Sequence, residues 1–543
     1  MLSKFRKPFR SYPVWARMLA LLVVIGVISM MRTSPPVENA VNPRKPLQLD
    51  TSLTDWTSEE LKRNPNIIIV LSESFWDPTL MKDLTFSRDP IPTFHELSKK
   101  YTSGWMLSPQ FGGGTANVEL EVLTGNSMRF LPENTIAYEE FVKRDIESLA
   151  SILSSRNYTP TAITPFYDWY FDSRNVYRHF GFSRYISYEF FNPDEFVGPY
   201  IGDHAVAKRI IEESARTEGA DFIFANTMEN HYHYYANKFE RNTIRIKDKK
   251  DTMAGAAIDI LETYAQGANG ADAMLQELVE HYSKVKEPTI VVFFGDHLPF
   301  FEEDYYVYRE GHYLQGEEDP DFLQKTHKVP LLIWNNYLQE GREDLYFNPS
   351  FLGPYVLNLA KIKGSDYTDF LSQLSKKIPI IPPKSYYEAM NINEADLTEY
   401  QSRQQVMMFG GDRNTPESMD DPPIQPTLIM GYGDPVITSV TPDSLSTGDG
   451  ASLTDTKKMI QITLTGGRYG IGSVVYVNGK PMQTKWESEQ ELTADLPKSL
   501  LAKPGNLELQ VKVVDEKENI LAQSKPYFLP VLVRKTSIDG TRR

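Results

Sequence analysis

At 543 residues the chain is too long for one ordinary domain, and its apolar and charged content is that of a folded globular protein. A formal charge of -15 excludes a general nucleic-acid binder, which needs a basic face. The chain has no cysteine, which excludes disulfides, thiolate metal sites and a cysteine nucleophile.

The first 32 residues are read as a basic end and a signal anchor. "MLSKFRKPFRSYPVWAR" is basic, and the 14 residues from Met18 to Met31 are uninterruptedly apolar. A spanning helix needs about 20 residues. Trp15 at the interface and snorkelling Arg17 and Arg32 lengthen the effective span. No small-x-small cleavage site follows, so the segment is expected to stay as a single-pass anchor, with the rest of the chain outside the cytoplasm at the cell membrane. A proline-rich stalk occupies 33–64.

In residues 65–395, "NIIIVLSES", "FIFANTM", "TIVVFFGDH" and "VPLLIW" are near-continuous apolar runs, as strands buried on both faces are. They alternate with stretches of helical spacing such as "AAIDILETYAQGANGADAMLQELVEHYSKV". The expected fold is α/β, a mainly parallel sheet flanked by helices. Residues 396–434 turn polar and read as a linker. Residues 435–533 carry short alternating strands between turn signals, which predict a small antiparallel sandwich. "PVITSVTP" and "VYVNGKPM" in it resemble the immunoglobulin-like IPT/TIG type. Residues 534–543 are a tail.

Ligands of α/β sheets bind beyond the carboxyl ends of the strands. Glu73 stands at the end of the first apolar run, Asp296 and His297 at the end of the third, and Glu229, His231 and His233 follow the second. "GGGTANVELEVLTG" places three glycines before Thr115 and apolar residues at Val118, Val122 and Leu123, one face of a helix that starts at Thr115. That start offers free N–H groups to a phosphate oxygen, and Asn117 offers another donor. Carboxylates, an imidazole and a hydroxyl suit a divalent cation, with manganese, magnesium or zinc favoured where sulfur ligands are absent. Beside such a cation Thr115 becomes a usable nucleophile.

"NIIIVLSES", "GGGTANVELEVLTG" and "VVFFGDHLP", in that order, resemble the lipoteichoic acid synthase group of sulfatase-like enzymes in the alkaline phosphatase superfamily. The resemblance covers residues 64 to 390. It implies that Glu73, Thr115, Asp296 and His297 hold the metal, with Thr115 as nucleophile; the expected ion is manganese, with magnesium or zinc as alternatives. "RNVYRHFGF" and "TMENHYHY" resemble the family's substrate segments and map to Arg174 and His231, with His233 as the alternative histidine. The implied reaction transfers glycerol phosphate from phosphatidylglycerol, a membrane lipid donor, to a cell-envelope acceptor.

The chain departs from the family at a His-Pro pair, here Thr164 and Pro165, and at a tryptophan, here Asp172. These departures bear on head group and acceptor. A phosphoethanolamine transferase or phosphodiesterase of the same fold is the alternative within enzymes; an inactive surface-binding protein is the alternative outside them. A sulfate-ester hydrolase needs Cys or Ser in a C/S-x-P-x-R setting, which "SPQFG" from Ser108 lacks. The aromatic segment "YDWYFDSRNVYRHFGFSRYISYEFFNP" is read as packing for a loop-rich face, with some rings lining the substrate cleft.

Overall fold

The first long apolar run forms strand β1 (Asn66–Ser72), buried along its whole length, as is β6 (Thr289–Gly295). Around these two, a computed structural model describes residues 45–49, 56–338, 341–410, 427–447 and 459–533. The other strands of the main sheet are β2 (Thr102–Leu107), β3 (Thr159–Ile163), β4 (Arg184–Ile186), β5 (Asp221–Asn226), β7 (Lys328–Asn335), β8 (Asp344–Phe347) and β9 (Ile429–Met430). Their order is β8-β2-β7-β6-β1-β5-β3-β4-β9. The helices that matter below are α1 (Thr115–Thr124), α2 (Ser173–His179), α3 (Asp203–Ser214), α4 (Gly255–Tyr282) and α5 (Thr398–Phe409).

The sheet is mixed, which corrects the mainly parallel expectation in one place. From β6 to β9 every pairing is parallel. Strand β7, the "VPLLIW" run, lies antiparallel to both neighbours, β6 and β2. A parallel return needs a crossover to the opposite end of the sheet. The connection 296–327 makes none: Phe294 at the end of β6 pairs with Leu331 near the start of β7. It therefore stays at the carboxyl end of β6.

Beyond residue 435 the expected all-β unit is present as two sheets. One orders Val436–Thr441, Met459–Gly467, Glu491–Pro497 and Gln483–Ser488; the other includes Ser473–Val477, Gly505–Val514, Ile520–Gln523 and Tyr527–Leu532. Ile462, Leu464 and Leu492 from the first share one core with Val475, Leu509 and Leu529 from the second. Inward residues alternate along Gly505–Val514, as period-2 packing requires.

The stretch 396–434 is more than a linker. Helix α5 buries Tyr400, Gln404, Met407 and Met408; the Tyr400 hydroxyl donates to Gly125 O at 2.6 Å, and the Gln404 amide exchanges hydrogen bonds with the Ser127 backbone. Strand β9 then joins the edge of the main sheet through β4. The sandwich is fastened to the same side. Gly472 N donates to Glu189 O and Ile471 N to Phe191 O, both at 2.9 Å, and Lys208 pairs with Glu489 at 2.9 Å. The main sheet and the sandwich belong to one unit. The expected anchor, Met18–Met31, lies outside the described residues, and among those no helix is long and apolar enough to cross a membrane.

Candidate active site

Strands β1 and β6 run parallel in a register that pairs Ser72 with Gly295. The next residue on each, Glu73 and Asp296, therefore emerges at adjacent carboxyl ends. Gly295 is what lets the two loops close on each other: a Cβ there would lie 2.0 Å from Phe75 O. Ser74, with φ +53, bends the chain so that its N–H donates to Asp296 Oδ1 at 2.8 Å and its hydroxyl to Glu73 Oε1 at 2.8 Å. Non-glycine residues adopt such a φ at a cost, and do so where surrounding bonds hold them.

Helix α1 supplies the hydroxyl. Gly114, with φ +88, turns the chain into the helix, and a Cβ there would lie 2.4 Å from Gln110 Oε1. Among the described residues no side chain caps the helix start, and Thr115 occupies its first turn. The Thr115 hydroxyl donates to Glu73 Oε2 at 3.3 Å. His297 Nε2 lies 3.2 Å from Asp296 Oδ2 and 3.8 Å from Glu73 Oε1.

Glu73, Asp296 and His297 are buried, each with a ligand atom within 4.8 Å of the others'. Among the described residues, Asp296 Oδ2 and His297 Nε2 have no hydrogen-bond partner. Buried polar atoms are rarely left so. His297 Nδ1 donates to Leu298 O at 3.0 Å, which leaves the lone pair on Nε2. Two carboxylates and an imidazole with unused lone pairs, next to a hydroxyl, fit a hard or borderline divalent cation.

The charges agree with that chemistry. Burial pushes the Asp296 carboxyl up to about 6, His297 pulling down and Glu73 adding to the rise. Burial would also raise Glu73, but the imidazoles of His231 and His297 hold it below the ordinary carboxylate range. His297 is raised because the two carboxylates outweigh its desolvation.

The remaining predicted residues fare differently. His231 lies on the loop after β5. Its Nδ1 meets Tyr232 O at 2.8 Å and the Tyr200 hydroxyl at 3.2 Å, and it lies within electrostatic range of Glu73. His233 is exposed and stacks on Tyr235 at 4.9 Å. Glu229 turns away from the cluster, its carboxylate accepting from Asp203 N at 2.9 Å. Arg174, on α2, is partly exposed and pairs with buried Asp168 at 3.1 Å. Asn117 was expected to face substrate, but it is buried, with Nδ2 donating to Thr135 O and Oδ1 accepting from Ala137 N, both at 2.8 Å. Its amide is spent on fastening the loop behind α1.

Sequence reasoning missed Ser74, Tyr200, Asp168 and Lys238. Lys238 is buried among the rings of Tyr200, Tyr234 and Phe239 and donates to His231 O. Burial pushes its ammonium down to about 7 against the pull of Glu229, Glu73 and Asp203. Asp168 carried the one readable signal, an acid six residues before the predicted arginine.

Residues 65–362 match the family model described as Sulfatase. A Rhizobium meliloti (strain 1021) protein, whose name assigns it to cyclic beta-1,2-glucan modification, is 33% identical over 361 residues, 64% of this chain and 55% of its own. The capsular polysaccharide biosynthesis protein RkpI of the same strain is 24% identical over 247 residues, 44% of this chain and 42% of its own. The chain thus spans about half the length of the curated relatives it matches. Among solved structures, the Streptococcus pyogenes phosphoglycerol transferase GacH, in complex with sn-glycerol-1-phosphate, has a TM-score of 0.52 at 22% identity, covering 64% of this chain and 87% of that one. It shares the fold.

Proposed function

The chain belongs to the sulfatase family, and from that premise we propose that it is a metal-dependent phosphotransferase that moves glycerol phosphate from a phosphatidylglycerol-type lipid to a cell-envelope glycan. The observation that carries this reading is the Thr115 hydroxyl, at an uncapped helix start and 3.3 Å from Glu73, beside the unused lone pairs of Asp296 and His297. The names of the two Rhizobium relatives support a glycan as acceptor.

Glu73, Thr115, Asp296 and His297 would hold the cation, manganese or else magnesium or zinc, which when bound supplies Lewis acidity toward the hydroxyl and the phosphoryl oxygens. Thr115 Oγ1 sits against Glu73 Oε2, the acceptor to which its proton points. Its oxygen attacks phosphorus, the diacylglycerol oxygen leaves, and the head group stays as a phosphothreonine ester. The free N–H groups at the start of α1 face the phosphoryl oxygens. Arg174 and His231 hold the head group, where the guanidinium fork suits two oxygens. An acceptor hydroxyl then attacks phosphorus and restores Thr115.

The Met18–Met31 run, as an anchor, keeps this site outside the cytoplasm and close to its lipid donor. The C-terminal unit is read as an IPT/TIG-like domain.

The test is mass spectrometry of the protein mixed with manganese and phosphatidylglycerol or phosphatidylethanolamine. A glycerol phosphate ester on Thr115 is the expected product. An ethanolamine phosphate ester would move the assignment to the alternative head group. Full turnover by Thr115→Ala would end the reading.

A further inference from the structure

The aromatic loop Phe166–Phe171 has no role in the chemistry above, yet it lies between two of its parts. On one side, Asp168 pairs with Arg174, and the Arg174 N–H donates to Asp168 O at 3.0 Å. On the other, Tyr170 lies within electrostatic range of Tyr200, whose hydroxyl meets His231. Tyr167 and Trp169 stack at 5.6 Å with only 16° between their planes. Phe166 and Tyr170 pack edge to face at 5.0 Å. In this cluster Tyr170 remains 42% exposed.

Two features indicate that this shape is held in place rather than left over. Phe171 and Asp172 both have left-handed φ, +53 and +60, with no glycine to ease it. Such outliers persist only where surrounding contacts over-determine them. One set of contacts comes from the sandwich, from the turn that joins Gly505–Val514 to Ile520–Gln523. Lys517 Nζ lies 4.0 Å from the Trp169 ring centre, and Glu516 hydrogen-bonds Tyr167. The sandwich thus reaches the loop that leads into Arg174.

We propose that the loop is the acceptor subsite, that its ligand is a neutral glycan whose pyranose stacks on Tyr170, and that the sandwich turn braces it. The proposal rests on the phosphotransfer reading, which needs an alcohol acceptor beside Thr115. The C–H face of a pyranose is apolar and slightly positive and matches the negative face of an aromatic ring. A polyanionic acceptor fits poorly, because the turn reads Asp515-Glu516-Lys517-Glu518 on a chain of charge -15.

The experiment measures binding of a β-1,2-linked glucose oligomer to the full chain with manganese, by calorimetry and tryptophan fluorescence. Wild type and Tyr170→Phe should bind alike, and Tyr170→Ala about tenfold more weakly, the size of a lost ring contact. The double variant Glu516→Ala, Lys517→Ala changes only exposed side chains; it should shift tryptophan emission and raise the KM for the oligomer while kcat holds. Unchanged binding by Tyr170→Ala, or none by wild type, overturns the subsite. An unmoved KM in the double variant overturns the brace. A protein that forms the Thr115 ester but binds no oligomer loses the subsite and keeps the phosphotransfer reading. One that binds the oligomer but never forms the ester keeps a glycan-binding loop and loses both the phosphotransfer reading and the loop's role as acceptor subsite.

Discussion

Glu119 lies one helical turn beyond Thr115 on α1 and is buried. It accepts hydrogen bonds from the hydroxyls of Tyr138 at 3.0 Å and Tyr177 at 2.7 Å, and from Asn226 Nδ2 at 2.8 Å. Burial pushes its carboxyl up to about 7, those donors only partly resisting. Folded protein therefore holds a proton on Glu119 that unfolded protein has lost, in the window from 4.5 to about 7. Stability must fall as pH rises through that window, and the loss is complete above it. At ~1.4 kcal/mol per pH unit, a rise from 4.5 to about 7 corresponds to about 3 kcal/mol. Glu119→Gln removes the titration and keeps the shape. Its carbonyl still accepts from Asn226, and the phenol hydroxyls turn to accept from its amide. Urea unfolding followed by tryptophan fluorescence should show the two proteins about equal at pH 5 and the variant about 3 kcal/mol more stable at pH 8. Glu121, Glu189 and Asp221 are also raised, to about 7, but titrate in both proteins, so the difference curve isolates Glu119. A flat difference curve, or a variant weaker at pH 8, refutes the reasoning.

Gly295→Ala places a Cβ 2.0 Å from a backbone oxygen that has nowhere to go. It should cost about 3 kcal/mol of stability by overpacking and weaken manganese binding in calorimetry, because the displaced loop carries Glu73. Manganese should raise the Tm of the wild-type chain, by about 2.7 kcal/mol of stability at a hundred times its Kd; Asp296→Asn should lose that gain, and an equal gain would remove Asp296 from the ligand set. Arg209, buried and paired with Glu195 at 3.0 Å and Glu489 at 3.6 Å, holds the sandwich to α3. Arg209→Ala removes the buried cation from Glu195 and leaves it Asn192 and the more exposed Lys208 at 3.6 Å, so it should cost about 3 kcal/mol, with faster release of the sandwich under limited proteolysis as the visible sign.

Strands β1 and β6 were readable because burial on both faces writes an unbroken apolar run, and Asp296-His297 stands where that run stops. The Gly-Gly-Gly-Thr turn announced a backbone that only glycine adopts freely. Strand β4 has three residues and β9 two, too few for a pattern; they exist because they pair with a sheet already built. The antiparallel β7 was invisible because direction depends on what its connection does, not on composition. Helix α5 looked like a linker because one of its buried contacts is a glutamine serving the Ser127 backbone. Asn117 looked like a ligand donor for the same reason in reverse: its partners are main-chain atoms 18 and 20 residues away that local spacing does not reveal.

Strand β9, at residues 429–430, closes the edge of a sheet whose first strand begins at residue 66. A chain growing from its N-terminus must therefore extend beyond Met430 before that sheet is whole. The segment that completes it runs within six residues into the first strand of the sandwich, at Val436. The main sheet can thus be whole before the sandwich, whose last strand is Tyr527–Leu532, and a nascent chain interrupted before Ile429 leaves β4 as a bare border open to unwanted pairing.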